Sequence, residues 1–399
     1  MNGEALITDP VGLTMVFLVI PAVIYYLQKN TRASVIFKYL PVLLFLYFIP
    51  ALLSTFDIIP SRTPVYKSLK AFIVPPTLVL LTMTVDFKSV LKLGPKALIM
   101  FFSGTLGVFL GAPLAYFLFH DHLPADIWKG LAALSGSWIG GAGNFIAVAD
   151  AVGTSESVLG MMVIVDVLIG MIWFGILFFL IGKHKEIDAK SKADTSMIEE
   201  VKENVMKFQK EHSRFPKVPD YFYILAVGLF FGWVSVQLSH VMPVTSILRA
   251  GAWKVIFCTT FGLVLSFTPL RKLDGAGASV FGAFLVYILV EVIGAGANMA
   301  EIAKYPSLLL VGMVWISVHA ICLLIAMKLC KAPMFFFAVG STANIGGTAS
   351  APVVASAFHT ALAPVGVLMA LCGTVTGTYV SLALAWVLEW MSKSMAAGG

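Results

Sequence analysis

Twelve apolar runs, each near the length a helix needs to cross a bilayer, limit what this chain can fold into. They occupy residues 11–28, 39–56, 69–85, 97–119, 129–151 and 157–182, then 219–240, 250–268, 277–298, 306–329, 332–357 and 360–391. A hydrocarbon core takes about 20 apolar residues of helix to span. A large soluble core is the other use for so much apolar sequence, but such cores come with charged surfaces. Here 59% of residues are hydrophobic and only 12% charged, against about 25% charged in soluble domains. The expected fold is an all-α polytopic membrane protein whose first partner is the lipid bilayer.

Polar residues inside such runs need a reason. Ser135-Gly-Ser-Trp-Ile-Gly-Gly-Ala-Gly-Asn144 has a second version half a chain later, Ser341-Thr-Ala-Asn-Ile-Gly-Gly-Thr-Ala-Ser350. In register, Ser135 meets Ser341, Gly140-Gly141 meets Gly346-Gly347, and Asn144 meets Ser350. A glycine pair breaks a helix and frees backbone N–H and C=O groups. In lipid such groups survive only against protein or a wet cavity. Interrupted apolar segments at matching places in two halves point to a transporter's binding site. Close helix packing also favours glycine, but it does not account for the accompanying Ser, Thr and Asn. The expected substrate cradle is Ser135, Gly136, Ser137, Gly140, Gly141, Gly143 and Asn144 with Ser341, Thr342, Asn344, Gly346, Gly347, Thr348 and Ser350. Half-helix N-termini there suit an anionic group. Neither motif contains Arg or Lys, which argues for a small polar or carboxylate solute over a phosphate or nucleotide.

The duplication divides the chain. Residues 1–182 form a first repeat, with a scaffold up to residue 96 and a core over 97–182. Residues 219–399 form a second, with scaffold 219–304 and core 305–391. Between them, residues 183–218 make a cytoplasmic polar linker; nine Lys/Arg and seven Asp/Glu fall within 183–217. An amphipathic patch there (Met197, Ile198, Val201, Val205, Met206, Phe208) suggests a surface helix. Met83–Asp86 resembles Ala295–Asn298, and Phe56–Pro60 sits where Leu265–Pro269 sits, so each half is one repeat of six segments. If every segment crosses, the repeats are parallel. If the broken segment of each half re-enters on its own side, five crossings per half make them inverted. Acidic flanks (Asp121, Asp126, Asp150, Glu156) around the first broken segment, set against a basic approach (Lys328, Lys331) to the second, favour inversion. Both termini then lie outside, and the linker's lysines add to a modest positive-inside bias. The net charge of +6 reads as loop lysines at a membrane face, with no nucleic-acid partner. Met1-Asn2-Gly3-Glu4 carries no basic region, so a cleavable signal is not expected. Cys258, Cys322, Cys330 and Cys372 have no metal spacing and read as small hydrophobes.

Ionisable residues within a span are costly, about 3 kcal/mol or more at mid-bilayer. Asp166, in the segment after the first glycine break, is the foremost. With Asn144, Ser350, Thr374 and opened carbonyls it suits a sodium ion, or alone a coupling proton. The alternative is a carboxylate bonded to the broken segment for structure. Glu291 and His319 are further candidates for the coupling proton, each with a buried structural alternative. Asp86 and Glu389 lie at segment ends, where an interfacial role is the default. Cys372 stands at the position matching Asp166, so the two halves are not equivalent. No cofactor is expected beyond the coupling ion.

Leu134–Asn144, Ala147–Ala151, Ala343–Gly347 and Ile59–Tyr66 together resemble a bacterial and plastid family of uncharacterised integral membrane proteins. That family is grouped with the cation–proton antiporter, bile-acid symporter and glutamate–sodium and citrate–sodium symporter superfamily. The resemblance implies an inverted-repeat fold, a scaffold and a mobile core holding two broken helices, elevator-type transport, a homodimer, and a multi-pass place in the inner (cytoplasmic) membrane. The antiporters' adjacent pair of acidic residues is missing here, since Val165 precedes Asp166. The expected function is therefore sodium- or proton-coupled secondary transport of a small anionic or zwitterionic solute such as an amino acid, carboxylate or short peptide. A cation–proton antiporter is the alternative. A channel or receptor, or an intramembrane hydrolase using Ser135 or Ser137 with His319, is a weaker one, since no hydrolase signature accompanies those residues. The chain is not expected to be an enzyme.

Overall fold

The computed structural model describes residues 5–38, 42–85, 93–124, 126–193, 198, 215–244, 250–296, 305–359 and 362–398, and their regular structure is helical throughout. In the first half α1 is Pro10–Asn30, α2 Val42–Thr55, α3 Pro64–Met83, α4 Pro95–Phe119, α5 Ile127–Gly140, α6 Ala142–Val152 and α7 Glu156–Ile181. A short α8 (His184–Ser191) opens the linker. In the second half α9 is Val218–Val241, α10 Ala250–Ser266, α11 Ala278–Ala295, α12 Ser307–Cys330, α13 Met334–Asn344, α14 Gly347–Phe358 and α15 Ala363–Gly398.

Eight of the described helices are long and apolar enough to cross a membrane: α1, α3, α4, α7, α9, α11, α12 and α15. A ninth span arises if α10 and the 3-10 turn Pro269–Ala276, bent by 95° between them, count together. The described α2 has 14 residues and reaches about 21 Å, short of the roughly 30 Å core. The arms of the broken segments are no longer, at 11 to 14 residues each. Asp86, Lys88, Lys92, Arg249, Asn298 and Lys304 lie outside the described residues, as does the linker's apolar patch except Ile198, which is half-buried against the core.

Local sequence starts these helices where capping chemistry allows. Asp9 accepts from the Gly12 N–H at 2.8 Å ahead of Pro10, Thr63 precedes Pro64 in the same way, and Ser155 accepts from Val158 at α7. A capping side chain plus proline at the first helical position satisfies groups the helix leaves open. Pro75 and Pro76 fall inside α3, which continues through them. Gly228 and Gly232 on α9 bring that helix directly onto this proline turn.

Helix α3 packs with α9, α10 and α11, α2 packs with α11, and α1 joins through α2 and α11. The second set is α4 to α7 and α12 to α15, in which α4 against α12 is the most extensive contact. Gly104, Gly107 and Gly111 make that approach possible, because side chains there would run into His319 and Trp315. Spaced by three and four, these glycines share one face of α4. Gly373 and Gly377 on α15 do the same against Ile139 and Gly140 at the end of α5. The α6 arm touches both sets, meeting α5 and α15 on one side and α3, α10 and α11 on the other.

Candidate functional site

Both glycine-broken segments fold back on themselves. At the first, α5 ends at Gly140, Gly141 adopts φ +86°, and α6 begins at Ala142. The arms then run side by side: Gly136 lies against the Asn144 carbonyl. At the mouth, Thr154 donates to the Lys129 carbonyl at 3.3 Å. At the second, α13 ends at Asn344, Gly346 and Gly347 take φ +114° and +59°, and α14 follows. Its mouth closes with Phe335 and Phe358, whose rings are 5.3 Å apart. Each segment is thus a helical hairpin that starts and finishes on one side, which is why neither arm reaches across. A methyl group on Gly347 would lie 3.5 Å from the Gly141 Cα, so the two tips touch. The N-termini of α6 and α14 and the C-termini of α5 and α13 all converge there. Opposite helix ends offer N–H groups to an anion and carbonyls to a cation.

Around the first tip the polar side chains reach outward to other helices. Ser137 donates to one Asp166 oxygen at 2.6 Å and Trp138 Nε1 to the other at 2.8 Å, and Asp166 is half-buried on α7. Asn144 donates to Gly140 O (3.0 Å) and Thr374 O (3.1 Å) and accepts from Thr378 at 2.6 Å. Thr259 on α10 donates to the same Thr378 hydroxyl at 3.2 Å, joining the two helix sets. A side chain on Gly141 would meet nothing within 4 Å, while one on Gly143 would press on Leu81 of α3.

Around the second tip the polar groups form closed circuits. Asn344 donates to Phe101 O (2.9 Å) and Gly340 O (3.0 Å), and accepts from Thr105 at 2.8 Å. His319 Nδ1 lies 2.9 Å from Gly104 O and Nε2 lies 2.9 Å from the Ser341 hydroxyl, which accepts from Trp173 Nε1 at 2.8 Å. A carbonyl can only accept, so Nδ1 carries the hydrogen and Nε2 accepts from Ser341. Every group in this Trp173–Ser341–His319–Gly104 chain is satisfied with a neutral imidazole.

The expected site residues therefore divide. The structure joins Ser137 to Asp166, Asn144 to Thr374, Gly141 to Gly347, and Ser341 to His319. Gly346 and Thr348 are exposed at the second tip, where Ser350 is half-buried beside Gly346. Ser135 and Thr342 spend their hydroxyls on their own helices, on Ala132 O and Ala338 O. The hydroxyl that meets His319 belongs to Ser341, not to Ser135 or Ser137. No hydrogen bond joins Asp166 to Asn144, Ser350 or Thr374 among the described residues. Glu291 sits apart on α11. Sequence reading passed over Trp138 and Trp173 because tryptophan in an apolar run reads as filler. It passed over Thr105 and Thr259 because their partners, Asn344 and Thr378, lie 239 and 119 residues away along the chain. The Gly373/Gly377 spacing was a signal for the α15 approach that went unused.

Outside the spans, α8 reaches the second hairpin: Asp188 accepts from the Met334 N–H at 2.7 Å, where α13 begins. Burial pushes the Asp188 carboxyl above the usual range, against the downward pull of that N–H and of His184. Among the described residues no cluster of His, Cys, Asp and Glu has the makings of a metal centre, and the four cysteines are free.

A family model described as "Protein of unknown function (DUF819)" matches residues 15–391. The chain is also similar to the "Uncharacterized membrane protein YjcL" of Bacillus subtilis (strain 168), 26% identical over 343 residues, covering 81% of this chain and 84% of that one.

Proposed function

The chain belongs to this DUF819 family of multi-pass membrane proteins, and from that premise we propose that it is an ion-coupled secondary transporter of a small anionic or zwitterionic solute. The observation that carries the reading is the contact of two opposed hairpin tips beside a half-buried carboxylate. Two broken helices that meet present opened backbone to one small volume, which is how transporters hold solute and ion without a charged pocket. The solute's anionic group faces the N-termini of α6 and α14. The cation, sodium or a proton, takes Asp166 and hairpin carbonyls. Asp166 already holds two donors, so ion binding exchanges the Ser137 O–H or Trp138 N–H for the cation and reorients the first hairpin. Ser137 and Trp138 thus act as positioning residues.

In this reading the halves are inverted repeats, the second helix set is the mobile core, and α1–α3 with α9–α11 are the scaffold. Core and scaffold move past each other as in an elevator, within the inner membrane and as a homodimer. This agrees with the superfamily that the motifs resemble. Thermal-shift screening of the purified protein against carboxylates, amino acids and short peptides, with sodium exchanged for choline at two pH values, tests it. A solute that stabilises only with sodium or low pH, and does so no longer in Asp166→Asn, is the expected result. Stabilisation that ignores both cation and mutation refutes it, and pH-dependent sodium flux with no solute favours the antiporter alternative.

A further inference from the structure

Four buried side-chain atoms among the described residues lack a hydrogen-bond partner: Tyr47 Oη, Ser381 Oγ and both carboxylate oxygens of Glu291. Glu291 is 0% exposed, within a stretch of α11, Ile288–Ala295, that is buried on every side. A carboxylate with neither solvent nor counter-charge is among the costliest groups a span can hold. The charged and titratable groups on each element packed on α11 are engaged elsewhere, exposed or distant. On α1, Tyr25 hydrogen-bonds to Tyr287, and Tyr26 and Lys29 are exposed. On α3, Tyr66 donates to Pro60 O and Lys70 pairs with Glu156 of α7 at 2.5 Å, while Lys67 is exposed. On α6, Asp150 pairs with Lys254. On α7, Asp166 is taken by Ser137 and Trp138. Arg271, Lys272 and Asp274 precede the far end of α11. Tyr47 on α2 remains, and its own hydroxyl has no partner. Among the described residues nothing neutralises Glu291 from outside, and its own proton is the remaining means.

Its place on α11 gives that proton a use. Five residues before it, Val286 lies against the first hairpin: a methyl on Gly143 would sit 3.8 Å from Val286 Cγ2. Five residues after it, Gly296 lies against the Glu156 carboxylate at the start of α7. Both neighbours belong to the second helix set. Glu291 therefore sits between two contacts that any sliding of that set along α11 must remake.

We propose that Glu291 is a proton-binding site, separate from Asp166, that keeps its proton while the hairpin helices are seated on α11 and releases it when they move. This rests on the transport reading, which it deepens by naming a place for a coupling proton.

Infrared difference spectroscopy of the full chain in lipid vesicles, with the proton itself as the probe, tests the idea. At neutral pH the protein should show the C=O stretch of a protonated carboxylic acid. That band should vanish in Glu291→Gln, persist in Asp166→Asn and shift in Glu291→Asp, which keeps an acid in a slightly different place. A band unchanged in both Glu291 variants, or no band at all, overturns the proposal. Coupling is read by tethering the helix sets, with a thiol cross-linker across Asp150→Cys and Lys254→Cys, after replacing the four native cysteines. The tether should hold the proton about tenfold more tightly, a difference of about 1.4 kcal/mol. Identical titration with and without the tether reduces Glu291 to a structural proton and defeats the coupling claim. The Asp166 test of transport is untouched by that result, so the two failures are distinguishable.

Discussion

The two hairpins are broken at matching glycine pairs, yet they spend their polar groups in opposite ways. The first turns its hydroxyl and indole toward a carboxylate, leaves Gly141 beside open space, and reaches through Asn144 and Thr378 to a helix of the other set. The second, up to its tip, is sealed: Ser341, Thr342 and Asn344 are each 0% exposed, and their bonds close within α4, α7, α12 and α13. The chain thus holds two similar hairpin frames. One keeps an ionisable partner with replaceable ligands, while the other trades charge for a neutral, saturated network. A frame that must exchange ligands needs the first kind of wiring, and a frame that must hold its shape needs the second.

The sharpest way to break this comparison is to treat the two serine partnerships alike. Asp166→Asn keeps the shape but removes the charge, whose charge-assisted bonds are worth about 1.5–3 kcal/mol. Cation-dependent transport or stabilisation should fall by at least about tenfold, with the folded yield little changed. Ser341→Ala should do the reverse. It leaves Trp173 Nε1 and His319 Nε2 unpaired in a dry interior and costs about 1–3 kcal/mol of stability, while cation dependence stays intact. Thermal unfolding in lipid, measured with and without sodium, separates the two. Equal cation dependence in both variants would mean that the hairpins are functionally alike.

The tips differ in strain as well as charge. Alanine at Gly346 must adopt φ +114° and also meets Phe174 and Ser350 at 2.8 Å, whereas alanine at Gly141, φ +86°, meets nothing. Gly346→Ala should cost about 3 kcal/mol from strain and crowding together. Gly141→Ala should cost about 2 kcal/mol from strain alone. Its added methyl would intrude on the space beside the first tip, so solute-induced stabilisation should weaken more there than in Gly346→Ala. The asparagines give a finer reading. Asn344→Ala strands Thr105 and two carbonyls, and Asn144→Ala strands Thr378 and two carbonyls. Each should cost about 2 kcal/mol. Only Asn144→Ala should also alter cation dependence, because only Asn144 is wired to α10.

Much of this plan was legible in the residues. The glycine pairs marked both breaks, and the lone acid after the first break is the one that Ser137 and Trp138 of the first hairpin bond. Ser341 lined up with Ser135, but register cannot say which way a hydroxyl turns: one bonds Ala132 O on its own helix and the other meets His319 across helices. The helix-to-helix partners Thr105, Thr259, Trp138 and Trp173 were also out of reach, because their contacts span 28 to 239 residues and no local pattern encodes them.

The mouths of the hairpins extend the contrast to the membrane surface. The first mouth is tied to neighbouring helices by ion pairs, Asp150–Lys254 at 2.5 Å from α6 to α10 and Glu156–Lys70 at 2.5 Å from α7 to α3. At the second, among the described residues, the Met334 N–H donates to Asp188 of α8 and the Phe358 ring meets His184 of the same helix. Ion pairs that are partly exposed contribute only about 0.2–1 kcal/mol and weaken with salt. A side-chain cap on a helix N-terminus contributes about 1 kcal/mol. Lys254→Ala should therefore lower unfolding stability by a few tenths of a kcal/mol, and that loss should shrink in high salt. Asp188→Ala should cost about 1 kcal/mol, and Asp188→Asn should recover most of it because its amide oxygen still accepts. Because the first ties join the two helix sets, Lys254→Ala should also speed their relative motion, read as faster cross-linking of probes placed across α6 and α10. If Asp188→Ala gives the same acceleration while Lys254→Ala gives none, the second mouth is the one that restrains movement, and the division of labour between the hairpins is the reverse of the one argued here.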